Sequence, residues 1–214
     1  MVDTEQVTTK RRGRPPASDS AGTRRAIFDS ARRLFAERGY AEVTNKEVAS
    51  AAGITTGALY HYVESKLDLY VEVYSDLQDL IYGRYTEAIE ASDTFLGKLE
   101  GILEAANAMN EEDYTLALLV GTVRTDIRRS PEIRKRLVHS VQRRDRFFAG
   151  IVDVGVATGE IAAEDRDSVA ELILILLIGL TEGASDSVEH HRRVIDGIKS
   201  LLYGRLITPV EDCS

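Results

Sequence analysis

Residues 44–66 read TNKEVASAAGITTGALYHYVESK, and this stretch decides the fold. Thr44 and Glu47 stand three apart before Val48, a spacing at which hydroxyl and carboxylate each cap the other's backbone amide, so a helix starts at Thr44. Val48, Ala49 and Ala52 share one face, and the small alanines let a neighbouring helix cross closely. Gly53 ends the helix, because glycine enters the left-handed conformation without a side-chain clash. Ile54 plugs the turn and Thr55 caps a second short helix. In that helix Leu59 and Val63 face inward, leaving Thr56, Gly57, Tyr60 and His61 outside. Ser65 and Asp68 repeat the capping pattern for a third, longer helix with Lys66 in its first turn. Two short helices around a glycine turn are the outline of a helix-turn-helix.

The chemistry of that surface points the same way. From Thr55 to Val63 there is no acidic residue, which suits approach to a polyanion, whereas an ordinary solvated helix face carries Glu and Lys.

The stretch resembles the DNA-binding domain of the tetracycline-repressor (TetR) family of bacterial regulators. Thr44, Ala49, Ala52, Gly53, Ile54, Leu59, Tyr60, His61, Tyr62, Val63, Ser65 and Lys66 carry the resemblance. Upstream, ARRLFAERGYAEVT adds Ala31, Leu34, Phe35, Gly39 and Tyr40. Val63 stands where the family more often has Phe, and Leu67 where it often has Glu. The motif match covers roughly residues 22–70; beyond it the likeness is architectural.

By position in the motif, the resemblance implies that Thr55, Thr56, Gly57 and Ala58 meet base edges. Tyr60, His61 and Tyr62 then approach phosphates or bases, Asn45 and Lys46 clamp backbone or touch a base beside Thr44, and Lys66 holds a phosphate. The recognition helix has no Arg, Lys, Asn or Gln, so the strongest bidentate base contacts are absent from it. Specificity must then lean on thymine-methyl packing, hydroxyl contacts, Lys46 and DNA shape.

A second basic element lies upstream. Residues 10–16 read KRRGRPP, where prolines keep the segment extended and Arg11, Arg12 and Arg14 flank a glycine. The segment resembles the core of an AT-hook, a slim arm whose arginines enter a narrow minor groove; a solvated basic tail is the alternative. Charge is divided along the chain. The overall balance is −8, made of +3 over residues 1–62 and −11 over residues 63–214, so the acidic remainder should be held away from phosphates.

The rest of the sequence reads as helices, with no useful strand alternation and no internal repeat. The first helix runs from about Gly22 to Arg38, and a long connecting helix from Leu67 to Ala91. The next is capped by Asp93 or Thr94. Another spans Glu111 to Arg128. Ser130-Pro131-Glu132 is a strong start signal for a helix running to Thr158, where Gly159 stops it. A penultimate helix covers Glu164 to Gly183 and a last one Glu189 to about Leu206. The expectation is an all-α chain of about nine helices: a flexible arm over residues 1–21, a three-helix helix-turn-helix domain over 22–68, and a helical effector-binding and dimerisation domain over 69–214.

VAELILILLIGL, residues 169–180, is apolar nearly all round and must be buried on every side, either as a central helix inside one subunit or at an interface. The family resemblance implies that the last two helices pair with their copies, placing Leu172, Ile175, Leu176, Ile198 and Leu202 at a homodimer interface. It also implies a small-molecule effector, for which Tyr114, Leu118, Phe147 and Ile151 are the candidate pocket residues.

Composition agrees with these readings. The chain has 214 residues, 43% of them hydrophobic, no apolar run of the ~20 residues that span a bilayer, and no signal-peptide pattern. Its single cysteine, Cys213, excludes an internal disulfide framework and suggests a reducing cytoplasm. No catalytic motif, cofactor motif or metal-ligand spacing appears: His190 and His191 are adjacent and point apart on a helix, though Glu182, Asp186 and Glu189 are near, and His139 is isolated. The expected partner is double-stranded DNA, with no membrane. The expected function is that of a repressor released from a palindromic operator by an effector. Two rivals are an effector-independent architectural DNA-binding protein and a helical ligand-binding dimer without DNA function.

Overall fold

A computed structural model describes residues 17–183 and 187–206. Arg11, Arg12, Arg14, Asp186 and Cys213 lie outside the described residues. The described chain is all α-helical apart from one short 3-10 turn. The helices are α1 (Ala17–Glu42), α2 (Asn45–Ala51), α3 (Thr56–Leu59), α4 (Lys66–Ile89), α5 (Phe95–Glu112), α6 (Thr115–Arg129), α7 (Pro131–Arg136), α8 (Val138–Thr158), α9 (Arg166–Gly183) and α10 (Val188–Leu202).

Ten helices stand where about nine were expected, and the difference lies in particular breaks. The first helix starts five residues early, and Gly39, with φ 77 and ψ 168, kinks it at the position where the sequence ends it. The stretch expected as one helix from Glu111 is interrupted at Asp113. That carboxylate accepts from the Thr115 amide at the start of α6 at 3.0 Å and from the Arg32 guanidinium of α1 at 2.6 Å, so it ties α6 to α1. The helix expected from Ser130 to Thr158 breaks at Leu137, which is fully buried with non-helical φ −97 and ψ 10. No glycine or proline marks either break.

The predicted caps form. The Thr44 hydroxyl accepts from the Glu47 amide at 3.3 Å and the Glu47 carboxylate accepts from the Thr44 amide at 2.8 Å. Thr55, Ser65, Thr94 and Ser130 each cap the helix that follows. Gly53 takes φ +69 directly after α2.

Two apolar clusters hold the molecule together. The first joins α1–α4 to α6 and α7 through Ile27, Phe35, Val48, Leu59, Leu119 and Ile133. The second joins α4, α5, α8, α9 and α10 through Tyr82, Leu99, Ile102, Val152, Ile173 and Ile195. Helix α4 belongs to both, so the helix-turn-helix does not end in a loose linker; its packing runs on into the bundle. Close approach helps. A Cβ on Gly101 of α5 would sit 2.8 Å from the Ala88 carbonyl of α4.

Helix α9 is not enclosed within one chain. Leu172 and Ile175 are 52% and 65% exposed, and Leu201 of α10 is 46% exposed, while Leu176, Ile198 and Leu202 are half-buried against the second cluster. No described helix is long and apolar enough to cross a membrane.

Candidate functional site

The helix-turn-helix presents its reading surface on a rigid base. Leu59 and Val63 are buried and Leu59 anchors α3 in the first cluster. Helix α3 is only four residues long, and the chain continues as a turn in which the Tyr62 amide donates to the Leu59 carbonyl at 2.9 Å. Lys46, Thr55, Gly57, Tyr60 and His61 are exposed, while Asn45, Thr56, Ala58 and Tyr62 are half-buried. Two contacts orient this surface. The Asn45 side-chain amide donates to the Tyr60 hydroxyl at 3.1 Å, bridging α2 to the end of α3. Arg38 donates to the Glu47 carboxylate at 2.8 Å and to the Glu42 carbonyl at 2.6 Å, fixing α2 against α1.

The Glu47 carboxyl is held at about 2, chiefly by its hydrogen bond with Thr44 and then by Arg38. A carboxyl depressed in the folded state supports the fold above its ordinary range near 4.5 and loses that support as pH falls toward 2. The capping box is thus intact throughout the neutral range.

Lys66 stands elsewhere than the motif position suggests. Its ammonium donates to the carbonyls of Tyr40 and Val43 at 2.8 and 2.9 Å and lies 4.2 Å from the Tyr40 ring centroid. Two of its three protons are therefore committed to the chain leaving α1, because those carbonyls have no helical partner where α1 kinks and ends. Beside it, Tyr70 packs edge-on against Phe35 at 4.8 Å and Tyr40 at 5.1 Å. Burial, then its hydrogen bond to Asp126, pushes the Tyr70 phenol well above its ordinary pKa.

Asp126 of α6 accepts from the Tyr70 hydroxyl at 2.7 Å and from the Tyr40 amide at 3.0 Å. The Thr122 hydroxyl, one turn earlier, donates to the Ala36 carbonyl of α1 at 2.9 Å. One face of α6 is thus bound to the helix-turn-helix.

The other face of α6 lines a cavity. It has about 1090 Å³ of empty volume, part of it open to solvent, between α4, α5, α6, α8, α9 and α10. Tyr82, Tyr85, Met109, Val120, Phe148 and Leu177 are among its apolar walls. Arg124 and Arg144 line it, and among the described residues no carboxylate does. Burial, then His190, holds His191 below its ordinary pKa, so this lining imidazole is neutral at pH 7. Asn110 is 2% exposed, and among the described residues neither its amide nitrogen nor its oxygen has a hydrogen-bond partner; the same is true of His191 Nδ1. A buried polar group without a partner costs about 1–3 kcal/mol, so these atoms are a feature the apolar packing does not explain.

None of the four expected pocket residues lines this cavity. Tyr114 is half exposed beside α6, Leu118 packs with the first cluster, and Phe147 and Ile151 belong to the second. Ala117 and Phe148, each one position along the helix from Leu118 and Phe147, line it instead. The residues missed include Asn110 and His191. A signal existed in Asn107 and Asn110, two amides on the inward face of α5. Among the described residues no group of three His, Cys, Asp or Glu side chains could hold a metal ion; the side chain of Glu182, and Asp186, lie outside that description.

Comparison with known proteins bears on the whole arrangement. The sequence pattern of bacterial regulatory proteins of the tetR family matches residues 27–73. The HTH-type transcriptional repressor KstR2 of Mycolicibacterium smegmatis is 35% identical over 89 residues, 42% of this chain and 43% of that one. The chain therefore matches less than half the length of that relative. The HTH-type transcriptional repressor BepR of Brucella suis is 26% identical over 201 residues, 85% of this chain and 92% of that one. Among solved structures, Salmonella enterica GusR superposes with a TM-score of 0.69 at 26% identity, over 86% of this chain and 95% of GusR.

Proposed function

We propose that this chain, which belongs to the tetR family of bacterial regulatory proteins, is a transcriptional repressor that binds a two-fold symmetric DNA operator as a homodimer and is released by a small molecule. The observation that carries the reading is the exposed, carboxylate-free surface from Thr55 to His61, braced by Asn45 and flanked by Lys46. Thr55, Thr56, Gly57 and Ala58 approach base edges; Thr44, Asn45, Lys46, Tyr60, His61 and Tyr62 meet the backbone or flanking bases. Lys66 acts by positioning, since its ammonium holds the turn between α1 and α2. Arg11, Arg12 and Arg14 extend the contact into the adjacent minor groove.

The homodimer is formed through α9 and α10. Leu172 and Ile175, one turn apart on α9, and Leu201 of α10 are large apolar side chains exposed in a single chain, and exposed apolar side chains on one helix face suit an interaction surface. Leu176, Ile198 and Leu202, half-buried on the same two helices, would complete the surface. A two-fold dimer places its recognition helices on half-sites ~34 Å apart. The protein works in the cytoplasm, where its operator is.

Release follows from the position of α4 and α6. Both line the cavity, and α6 also reaches Tyr40, Tyr70 and Ala36 on its other face. A molecule that fits the cavity better in the DNA-incompetent arrangement shifts the population toward it. The domain division proposed is accordingly functional: a basic arm over residues 1–21, whose last five residues already belong to α1, a reading head over 22–68, and an effector-binding and dimerisation unit over 69–214, with α4 crossing the boundary.

Selection of bound duplexes from a random pool by the full chain tests the reading. It should enrich one inverted repeat whose half-sites are related by about one helical turn. Recovery of sequences with no common site would reject it in favour of sequence-independent binding.

A further inference from the structure

We infer that the cavity takes an apolar molecule ending in a carbonyl group, a carboxylate or carboxamide, anchored on Asn110 and His191, and that it excludes cations. The inference rests on the reading of this cavity as an effector site and names the chemistry of what enters it.

Three observations support it independently of any relative. The walls are aromatic and aliphatic, so the body of the ligand is apolar. Among the described residues the lining carries two guanidiniums, Arg124 and Arg144, and no Asp or Glu. A cationic ligand would lose its hydration and find no counter-charge there. The third observation selects the head group. Asn110 is 2% exposed and offers one donor and one acceptor, neither used by the protein; His191, also 2% exposed, offers Nδ1. A carbonyl oxygen accepts from the Asn110 amide nitrogen. A carboxamide also donates to the Asn110 oxygen, while a carboxylate places its second oxygen toward a donor of the same lining.

Alkyl compounds of equal length separate the possibilities: decanoate, decanamide and decylammonium, each titrated calorimetrically into the full chain and into Asn110→Leu. Leucine has nearly the shape of asparagine, and it replaces an amide that has no protein partner, so the variant should melt no lower than the wild type. Decanoate or decanamide should bind the wild type at least about tenfold more tightly than decylammonium, and Asn110→Leu should lose about tenfold of that affinity, the scale of one hydrogen bond in a buried site. The better of the two carbonyl probes identifies whether the natural head is charged. Equal or tighter binding of decylammonium, absence of binding by both carbonyl probes, or full affinity in Asn110→Leu would overturn the inference; the last result would mean that water alone satisfies Asn110. Operator release is scored separately with the same probes. A carbonyl probe that binds through Asn110 without loosening DNA would refute the effector reading and leave the head-group assignment standing.

Discussion

Asp126→Ala should destabilise the protein by roughly 2–5 kcal/mol, because it removes the shared acceptor of two donors that would each be left unpaired at a cost of ~1–3 kcal/mol. Those donors are the hydroxyl of Tyr70, a residue 1% exposed, and the amide of Tyr40. This is a large fraction of the ~5–15 kcal/mol that holds a typical domain folded. Asp126→Asn keeps an oxygen in the same place and should recover most of the loss. Chemical denaturation of the three proteins checks the ordering. The same series tests coupling. With Asn in place operator release should persist, whereas Ala should weaken it at ligand saturation, since α6 then loses its hold on the end of α1. Equal midpoints for wild type and Asp126→Ala would show that the Tyr70–Asp126 contact carries neither stability nor signal.

Lys66→Met should lower stability by roughly 2 kcal/mol, the scale of hydrogen bonds made by a charged donor. The long methionine side chain keeps the aliphatic packing, but the carbonyls of Tyr40 and Val43 lose their donor. These carbonyls belong to the chain that carries α1 into α2, so DNA affinity should fall with the fold of the reading head. The salt dependence of binding separates this from a direct phosphate contact. A phosphate-binding lysine contributes about one to the slope of log affinity against log salt when removed. Positioning predicts an unchanged slope and a lower denaturation midpoint; a reduced slope with an unchanged midpoint would assign Lys66 to phosphate instead.

What the sequence reveals and what it hides divide along a physical line. The helix-turn-helix is legible because its signals are local: the Thr44–Glu47 box, Gly53 in the left-handed region, and the Thr55 and Ser65 caps all act within four residues. The breaks at Asp113 and Leu137 are not legible, because their causes are tertiary. Asp113 is held by Arg32, more than eighty residues away, and Leu137 is fully buried with no breaker residue in sight. The same limit explains the cavity. Successive helical residues point about 100° apart, so an error of one position exchanges Phe148 for Phe147 and moves a side chain from the cavity wall into the neighbouring packing. Lys66 shows a third case: its place in the motif is legible, but the direction of its ammonium depends on where Tyr40 brings its carbonyl.

The central claim is that the surface formed by Lys46 and the end of α3 binds DNA. Its most direct test is the affinity of the full chain and of the Lys46→Ala/Tyr60→Ala double variant for the selected duplex, measured across a range of salt. Both residues are exposed and Tyr60→Ala removes only the hydrogen bond from Asn45, so stability should fall by no more than about 1 kcal/mol and the double variant should stay folded. Affinity should fall at least about tenfold and the salt slope should be smaller by about 0.9, the release expected for one lost phosphate contact. Undiminished affinity and an unchanged slope in the folded double variant would contradict it.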